Sequence, residues 1–351
     1  MAMFQSRRVL SWVLVGLPVG LLLSVILFAL AMLTQEGNGG GVPVQVRKEA
    51  LSPGSGMNGE SKLREYVAIL SERVGERNAG RPEGLRAAEL FLESTFGKGN
   101  LGYEVHRREF EVRGQKFANL ETILPGKDRA AETLVVGAHY DTASGSPGAD
   151  DNASGIAALL VIAERFVGNR QSRTLRWVAF CNEEPPWFQT PDMGSMRYAD
   201  CLKREGVNVV AMLSLESLGY FRDEPGSQKY PEPLASLYPD KGNFLGVVGN
   251  LESRKLVDFV FERLRRAGTI PVEKGVFPES VPGVGWSDQW GFWKQGVSAL
   301  MLTDTAPYRN PHYHRPSDKL ETLDFSRLAS ATEAIRGLIE ILANDPGTEW
   351  K

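Results

Sequence analysis

The sequence predicts an α/β protein built on a mixed, largely parallel twisted sheet that is sandwiched by helices. The first observation is a set of short, mostly apolar runs with the length of buried strands: residues 133–138, 174–181, 209–215 and 297–302. The second is helical apolar spacing between them, as in residues 154–166 and 252–267. Strands that are apolar on both faces and alternate with helices are typical of a sheet covered by helices on both sides. The third observation is that polar side chains directly follow several of these strands, where open α/β sheets place their ligands.

Further elements on either side of this alternating region complete the predicted domain, which we place at residues 61–345. Apolar side chains at helical spacing or in strict alternation predict helices over residues 63–74, 82–96 and 325–342 and strands over residues 103–112 and 120–124. Gly97 is a suitable stop for the second helix.

The composition excludes some classes of function. The chain has 351 residues and a net charge of −3, whereas nucleic-acid-binding proteins normally carry a basic surface. Its two cysteines, Cys181 and Cys201, are too few for a disulfide framework or a cysteine-rich zinc site. We therefore expect no nucleic-acid partner and no dependence on disulfide bonds.

The N-terminal segment predicts a membrane anchor. Residues 9–33 carry no charge and are long enough to cross a bilayer, which needs ~20 apolar residues. Arg7 and Arg8 precede this segment, so residues 1–8 are expected in the cytoplasm and the rest of the chain outside it. The alternative is a cleaved signal peptide, for which residues 29–31 offer a cleavage site. Residues 34–60, rich in Gly, Ser and Pro, predict a flexible linker to the domain.

Histidines and carboxylates gather where the predicted strands end. Imidazole nitrogen and carboxylate oxygen are both ligands of zinc. Two metal ions about 3.5–4 Å apart can act together on a carbonyl substrate, and such a site needs terminal ligands, a bridging carboxylate and an unligated base. The chain offers a full set of candidate ligands, namely His139, Asp151, Glu184, Glu216 and His314. Glu183 is then left over as the base.

The motifs that contain these residues resemble metallopeptidase family 28, which includes zinc aminopeptidases, aminopeptidase Y and glutamate carboxypeptidase. The resemblance covers roughly residues 63–342. It rests on His-x-Asp at 139–141, Gly-Ala-Asp-Asp-Asn-Ala-Ser-Gly at 148–155, Glu-Glu at 183–184 and Tyr-His-x-Pro-x-Asp at 313–318. It implies a zinc exopeptidase fold and two Zn²⁺ ions as cofactors.

The resemblance also implies a role for each site residue. One zinc would be bound by His139 and Glu216 and the other by Glu184 and His314, with Asp151 as the bridge. Glu183 would be the general base. Asp141 would support catalysis by accepting a hydrogen bond from the far ring nitrogen of His139. The peptide bond between Asp151 and Asn152 is expected to be cis.

The function favoured by this reading is hydrolysis of peptide substrates by an aminopeptidase that releases N-terminal residues. A carboxypeptidase or dipeptidase would use the same metal centre, with Arg222, Arg309 and Arg315 as candidates to hold a terminal carboxylate. Glutaminyl cyclisation, an acyl transfer for which one zinc suffices, and a non-catalytic binding domain are the remaining alternatives. The full ligand set favours two metals and hydrolysis.

Two features depart from the family pattern. Many relatives have Asp where this chain has Glu216, which weakens inference about the substrate from those relatives. In addition, the segment 185–193 intervenes between Glu184 and the next Gly-Ser turn. It contains a Pro-Pro step and two large aromatic residues, and we expect Trp187 and Phe188 to form one wall of the specificity pocket.

Overall fold

A single eight-stranded sheet organises the residues that the computed structural model describes, namely 59–232, 234–347 and 350. Its strands are β1 (Val105–Val112), β2 (Gln115–Leu124), β3 (Arg129–His139), β4 (Arg173–Phe180), β5 (Asn208–Glu216), β6 (Leu245–Gly249), β7 (Val272–Val276) and β8 (Ala299–Thr303). They lie in the order β1-β2-β4-β3-β5-β8-β6-β7.

The centre of the sheet is parallel and its flanks are mixed. Strands β4, β3, β5 and β8 run parallel to one another, whereas β1, β2 and β4 pair antiparallel, as do β8 and β6. The β1–β2 hairpin is closed by Arg113 and Gly114, both with positive φ (49° and 82°), as the twist of a two-residue hairpin turn requires. The predicted mixed α/β class is thus confirmed, with the parallel pairing concentrated in the middle.

Helices cover both faces of the sheet. They are α1 (Gly59–Ala68), α2 (Pro82–Phe96), α3 (Gly155–Phe166), α4 (Gly194–Arg204), α5 (Arg254–Ala267), α6 (Gln289–Trp293), α7 (Ala306–Arg309) and α8 (Phe325–Asn344). Helix α1 continues into a π-helical turn, Ile69–Val74. Helices α1, α3, α5 and α8 pack together on one side, and α4 packs on α6 on the other.

Alternate residues of the central strands belong to different cores. In β3, Leu134 and Val136 join the larger cluster with α1, α3 and α8, whereas Val135 joins the smaller cluster with α4 and α6. In β4, Trp177 faces the first cluster and Val178 the second. Because successive side chains of a strand point to opposite faces, a sheet buried on both sides must be apolar at nearly every position. This is why the central strands could be read from short apolar runs.

Several differences separate the predicted from the observed elements. Strands β6 and β7 were not predicted, because each has only five residues and both contain glycine. Helices α4, α6 and α7 were not predicted either. Gly59 and Glu60, assigned to the linker from sequence, instead begin α1.

The predicted N-terminal membrane anchor, residues 9–33, and the preceding residues 1–8 lie outside the described residues. Residues 34–58 of the linker do as well. Among the helices that are described, none combines the length and the apolar character needed to cross a bilayer.

Arg77 ties the N-terminal helical segment to the loop after β3. Its guanidinium is fully buried and donates hydrogen bonds to five backbone carbonyls, those of Leu70, Gly75, Tyr140, Pro147 and Gly148. A buried guanidinium is tolerated when its donors are satisfied in this way. The contact fixes the loop that leads from β3 towards α3.

Helix α3 starts in close contact with the end of β5. A Cβ atom at Gly155 would lie 2.2 Å from Asn152 Oδ1 and 2.5 Å from the carbonyl oxygen of Leu215. Only glycine permits this approach. It brings the turn before α3 against the last residues of β5.

We predict opposite effects for two Gly→Ala substitutions. Gly155→Ala should lower the free energy of unfolding by about 1–3 kcal/mol, because the added methyl group cannot be accommodated without moving backbone. Gly337→Ala, within α8 and with no atom within 4 Å of an added Cβ, should instead raise it by roughly 0.5–1 kcal/mol. Denaturant unfolding of both variants measures the difference, and equal effects would contradict the proposed close contact at Gly155.

Candidate metal centre

The candidate ligands lie together at the carboxyl edge of the parallel strands. His139 is the last residue of β3 and Glu216 the last residue of β5, while Glu184 follows β4. Asp151 lies in the turn before α3, and His314 in the loop after α7. The structure brings all five together, and all are buried except His314, whose side chain is 34% exposed.

Asp151 occupies the middle of the cluster. Its Oδ1 lies 3.2 Å from Nε2 of His139, and its Oδ2 lies 3.0 Å from Nε2 of His314. One carboxylate therefore presents a different oxygen to each histidine. The peptide bond between Asp151 and Asn152 is cis, as the resemblance implied.

Each histidine also has a second carboxylate beside it. Oε2 of Glu216 lies 3.2 Å from Nε2 of His139, and Oε2 of Glu184 lies 3.3 Å from Nε2 of His314. The result is two three-residue groups that share Asp151, and within each the ligand atoms lie within 4.8 Å of one another. Two cations could be held side by side by this arrangement.

The chemistry of the cluster fits a metal cation. Each group offers one imidazole nitrogen and two carboxylates, a donor set that zinc accepts. In addition, Oε1 of Glu184 is buried and has no hydrogen-bond partner among the described residues. A buried carboxylate oxygen is costly unless it is bonded or coordinates a metal, so this atom is well suited to a ligand role.

The same excess of negative charge acts on the histidines. Burial lowers the pKa of His139, but Glu216 and Glu183 outweigh it and hold this pKa well above its ordinary value. Burial also lowers the pKa of His314, but Glu184 and Asp151 outweigh this effect and raise that pKa to about 11. Burial, followed by the charge of Asp151, raises the pKa of Glu184 to about 6. The site thus has a strongly negative potential that favours cations.

Hydrogen bonds hold the Asp151 segment in place. The two carboxylate oxygens of Asp318 accept from the backbone N–H groups of Asp150 and Asp151, at 3.0 and 3.2 Å. The carboxylate of Asp150 accepts from the N–H of Gly219 and from the side chain of Asn310. Asn152 Oδ1 accepts from the N–H of Gly155 at the start of α3. Asp150 and Asn152 therefore support the segment, while Asp151 is left free to face the histidines.

Asp141 is placed differently from the expectation drawn from the resemblance. The nearest acceptor to Nδ1 of His139 is the backbone carbonyl of Asp141, at 3.2 Å, whereas its carboxylate oxygen is 3.6 Å away. That carboxylate instead accepts from the backbone N–H groups of Glu183 and Glu184, at 3.2 and 3.1 Å. Asp141 therefore positions the Glu-Glu pair as well as His139.

Glu183 lies inside the site, and its carboxylate has no close hydrogen-bonding partner among the described residues. Its Oε2 is 3.9 Å from Nε2 of His139. Burial, opposed by His139 and reinforced by Glu184, raises the pKa of Glu183 well above its ordinary value. This side chain is available to take up a proton within the cluster.

Backbone conformation around the site is unusual in three places. Asn182, just before Glu183, Ser217, just after Glu216, and His314 itself all have positive φ, between 46° and 58°. Non-glycine residues adopt this region rarely, and such residues concentrate at functional sites. Asn182 and Ser217 turn the chain just after strands β4 and β5, and His314 does so in the loop after α7.

Sequence reasoning left several neighbours of the site without a role. Ser287 donates a hydrogen bond to Oε2 of Glu216 at 2.7 Å, and Asp288 beside it is fully buried. Burial raises the pKa of Asp288 to about 7. Asp318 belongs to the quoted Tyr-His-x-Pro-x-Asp motif, and that motif was the one available signal for its position.

The aromatic residues of segment 185–193, Trp187 and Phe188, do not line the cavity beside Glu216, and their place in the specificity pocket stays a prediction. Trp187 is buried against Phe117, with ring centroids 6.4 Å apart. The aromatic residues were noticed in sequence because they follow Glu184. Their packing partner, on β2, could not be inferred from that proximity.

Comparison with known proteins agrees with the motifs. The model of peptidase family M28 matches residues 119–339. An uncharacterised protein, YfbL, from Escherichia coli (strain K12) is 34% identical over 292 residues, which cover 81% of this chain and 87% of that protein. A probable leucine aminopeptidase from Arthroderma otae is 25% identical, over 66% of this chain and 58% of its own length.

The fold is shared with solved structures. BSAP, a zinc aminopeptidase from Bacillus subtilis, superposes with a TM-score of 0.66 at 16% identity, over 83% of this chain and 97% of that chain. At this identity the likeness concerns the fold. The family match, which covers more than half of the sequence, and the 34% identity to the Escherichia coli protein go further. The chain belongs to peptidase family M28.

Proposed function

We propose that this metallo-exopeptidase is an aminopeptidase that uses two zinc ions to release N-terminal residues from peptides. Membership of family M28 makes the chain a hydrolase of the peptidase class. We add three parts to this: the number of metal ions, their identity and the end of the peptide that is cleaved. The similarity to a probable leucine aminopeptidase and to a zinc aminopeptidase supports the last two.

The position of Asp151 is the observation that carries the proposal. Its two oxygens face two different histidines at 3.2 and 3.0 Å, and each histidine is accompanied by a further carboxylate. His139 and Glu216 would hold one ion, Glu184 and His314 the other, and Asp151 would contact both. A single ion would leave one of the two histidine–carboxylate groups without a cation.

The residues of the chain then have distinct tasks in hydrolysis. When bound, the metal ions polarise the scissile carbonyl and make a water molecule more acidic. Glu183 accepts the proton of that water and returns it to the departing amine. Asp141 keeps Glu183 and Glu184 in position through their backbone N–H groups.

The placement of the arginines argues against recognition of a C-terminal carboxylate. Two of the three arginines considered for a carboxypeptidase are engaged elsewhere. Arg309 is buried and bonded to Gln228, and Arg222 donates to the carbonyls of Phe221 and Thr322. Arg315, exposed beside His314, is the remaining candidate.

A first prediction concerns metal content. The wild-type chain should bind two equivalents of zinc, whereas Asp151→Asn should bind at most one. The kcat of this variant should fall roughly 100-fold or more, because even residues that only hydrogen-bond to metal ligands contribute 10–100-fold in metal sites. Elemental analysis after dialysis and peptidase assays measure both quantities. Asp128→Asn, at an exposed position between β2 and β3, is the matched control and should retain both ions. Two equivalents in Asp151→Asn would contradict the bridging role.

A second prediction concerns the base. Glu183→Gln should keep its zinc but lose about 10²–10⁴-fold in kcat, the usual contribution of a general base. Glu252→Gln, an exposed residue before α5, should behave as wild type. Full activity of Glu183→Gln would show that another group takes the proton.

A third prediction separates the aminopeptidase from its alternatives. Substrates with a free N-terminal amine should be cleaved, and the same peptides with an acetylated N-terminus should not, because the nitrogen of an acetylated terminus can neither accept a proton nor coordinate a metal ion. Equal cleavage of both would exclude an aminopeptidase. Release of C-terminal residues that is lost in Arg315→Gln would favour the carboxypeptidase, and cyclisation of N-terminal glutamine without hydrolysis would favour the acyl transferase.

For location, we propose that residues 9–33 anchor the chain in a membrane with the peptidase domain on the extracytoplasmic side. The uncharged apolar run and the two preceding arginines support this. Full-length protein should remain in the membrane fraction after alkaline extraction. Recovery of a soluble form whose N-terminus begins after residue 31 would favour the cleaved signal peptide.

A further inference from the structure

A cavity extends from the candidate metal centre across the sheet. The space between its walls, which includes open solvent, is about 810 Å³. Glu216 and Tyr313 line the end near the metal centre. The floor comes from β8, β6 and β7, and the surface is mostly apolar.

The strand register places a second carboxylate at the far end. Glu216 on β5 pairs with Thr303 on β8, Thr303 pairs with Gly246 on β6, and Gly246 pairs with Glu273 on β7. Directly paired residues of neighbouring strands point to the same face, so Glu273 and Glu216 lie on one face, three strand spacings or about 14 Å apart. Gly246, between them, has no side chain to obstruct the path.

Aromatic side chains surround the far end. Tyr230 and Tyr238 stack with ring centroids 5.4 Å apart, and Tyr238 meets Phe277 edge to face at 6.3 Å. The hydroxyl of Tyr238 donates to the carbonyl of Lys274, which fixes this ring next to Glu273. All three rings line the cavity.

Glu273 has no counter-charge within the described part of the chain. Burial raises its pKa, with no neighbouring cation to oppose it. The adjacent Lys274 points to the opposite face of β7, where its ammonium pairs with Asp258 on α5 at 2.5 Å. The buried guanidinium of Arg309 is held by Gln228 and by the rings of Phe221 and Phe244. The carboxylate is therefore available to a ligand.

Building on the proposed aminopeptidase function, we propose that this cavity receives the side chain of the substrate's N-terminal residue and that Glu273 selects lysine or arginine. These are the longest charged side chains, and their methylene groups suit apolar walls while the charged head pairs with a carboxylate. Aromatic rings around the cation add to the attraction. A neutral side chain of the same length would leave Glu273 partly desolvated and unpaired, which is unfavourable.

The test compares substrates that differ only in the charge. Aminoacyl-coumarin substrates of lysine and norleucine, and of arginine and citrulline, match closely in length and shape. Wild type should show about 10–100-fold higher kcat/KM for the charged member of each pair, the range for a hydrogen bond to a charged group. Glu273→Gln should remove that preference, by lowering kcat/KM for the charged member of each pair relative to its neutral match. Glu273→Lys should favour N-terminal glutamate instead.

Controls separate failure of the subsite from failure of the proposed function. Glu232→Gln, an exposed residue of the loop over the cavity, should keep the wild-type preference. If the wild type cleaves these substrates but prefers norleucine or leucine, and Glu273→Gln does not alter the ratio, the subsite is wrong and the aminopeptidase stands. If no aminoacyl substrate is cleaved, the aminopeptidase is wrong. In that case calorimetry measures the affinity of the zinc-loaded wild type for L-lysinamide and L-norleucinamide. Tighter binding of L-lysinamide would support the proposed subsite, and equal affinities would overturn it.

Discussion

The burial of several carboxylates in one small region is the constraint on which the rest of this structure depends. Asp150, Asp151, Glu183, Glu184 and Glu216 are all withdrawn from water, and burying like charges together is strongly unfavourable unless they are paired, bonded or coordinated. Three kinds of contact offset this cost. The imidazoles of His139 and His314 face the oxygens of Asp151, and a backbone N–H group and an amide side chain bond to Asp150. The buried guanidinium of Arg77 adds a positive charge nearby. A site with this much residual negative charge is suited to divalent cations.

Sheet topology determines which parts of the site are fixed and which can vary. His139 and Glu216 end strands of the parallel centre, which is buried on both faces, so their backbone positions are set by the core itself. The cavity beside them has a floor of β8, β6 and β7 and walls built from loops, such as the segment that carries Tyr230 and Tyr238. Two of the candidate ligands thus lie on the most constrained strands, whereas part of the cavity wall lies on loops.

The sequence predicted the parts of the molecule that repeat a simple pattern. The central strands and the long helices followed from apolar runs and helical spacing, and the candidate ligands from polar residues that end those runs. Strands β6 and β7 could not be predicted, since five residues with glycine carry no usable period. The second role of Asp141, the burial of Trp187 against Phe117 and the alignment of Glu273 with Glu216 depend on contacts between residues distant in sequence. Local patterns contain no information about such contacts.

The separation between strand-borne ligands and a loop-walled cavity has a consequence for how such an enzyme can diversify. The loop between β5 and β6 can lengthen, shorten or exchange aromatic residues while the strands that carry His139 and Glu216 keep their register, because loop insertions cost little folding free energy. New substrate preferences can therefore arise by steps that each preserve a working catalyst. Related enzymes with this fold can therefore differ in substrate preference while the metal centre stays the same.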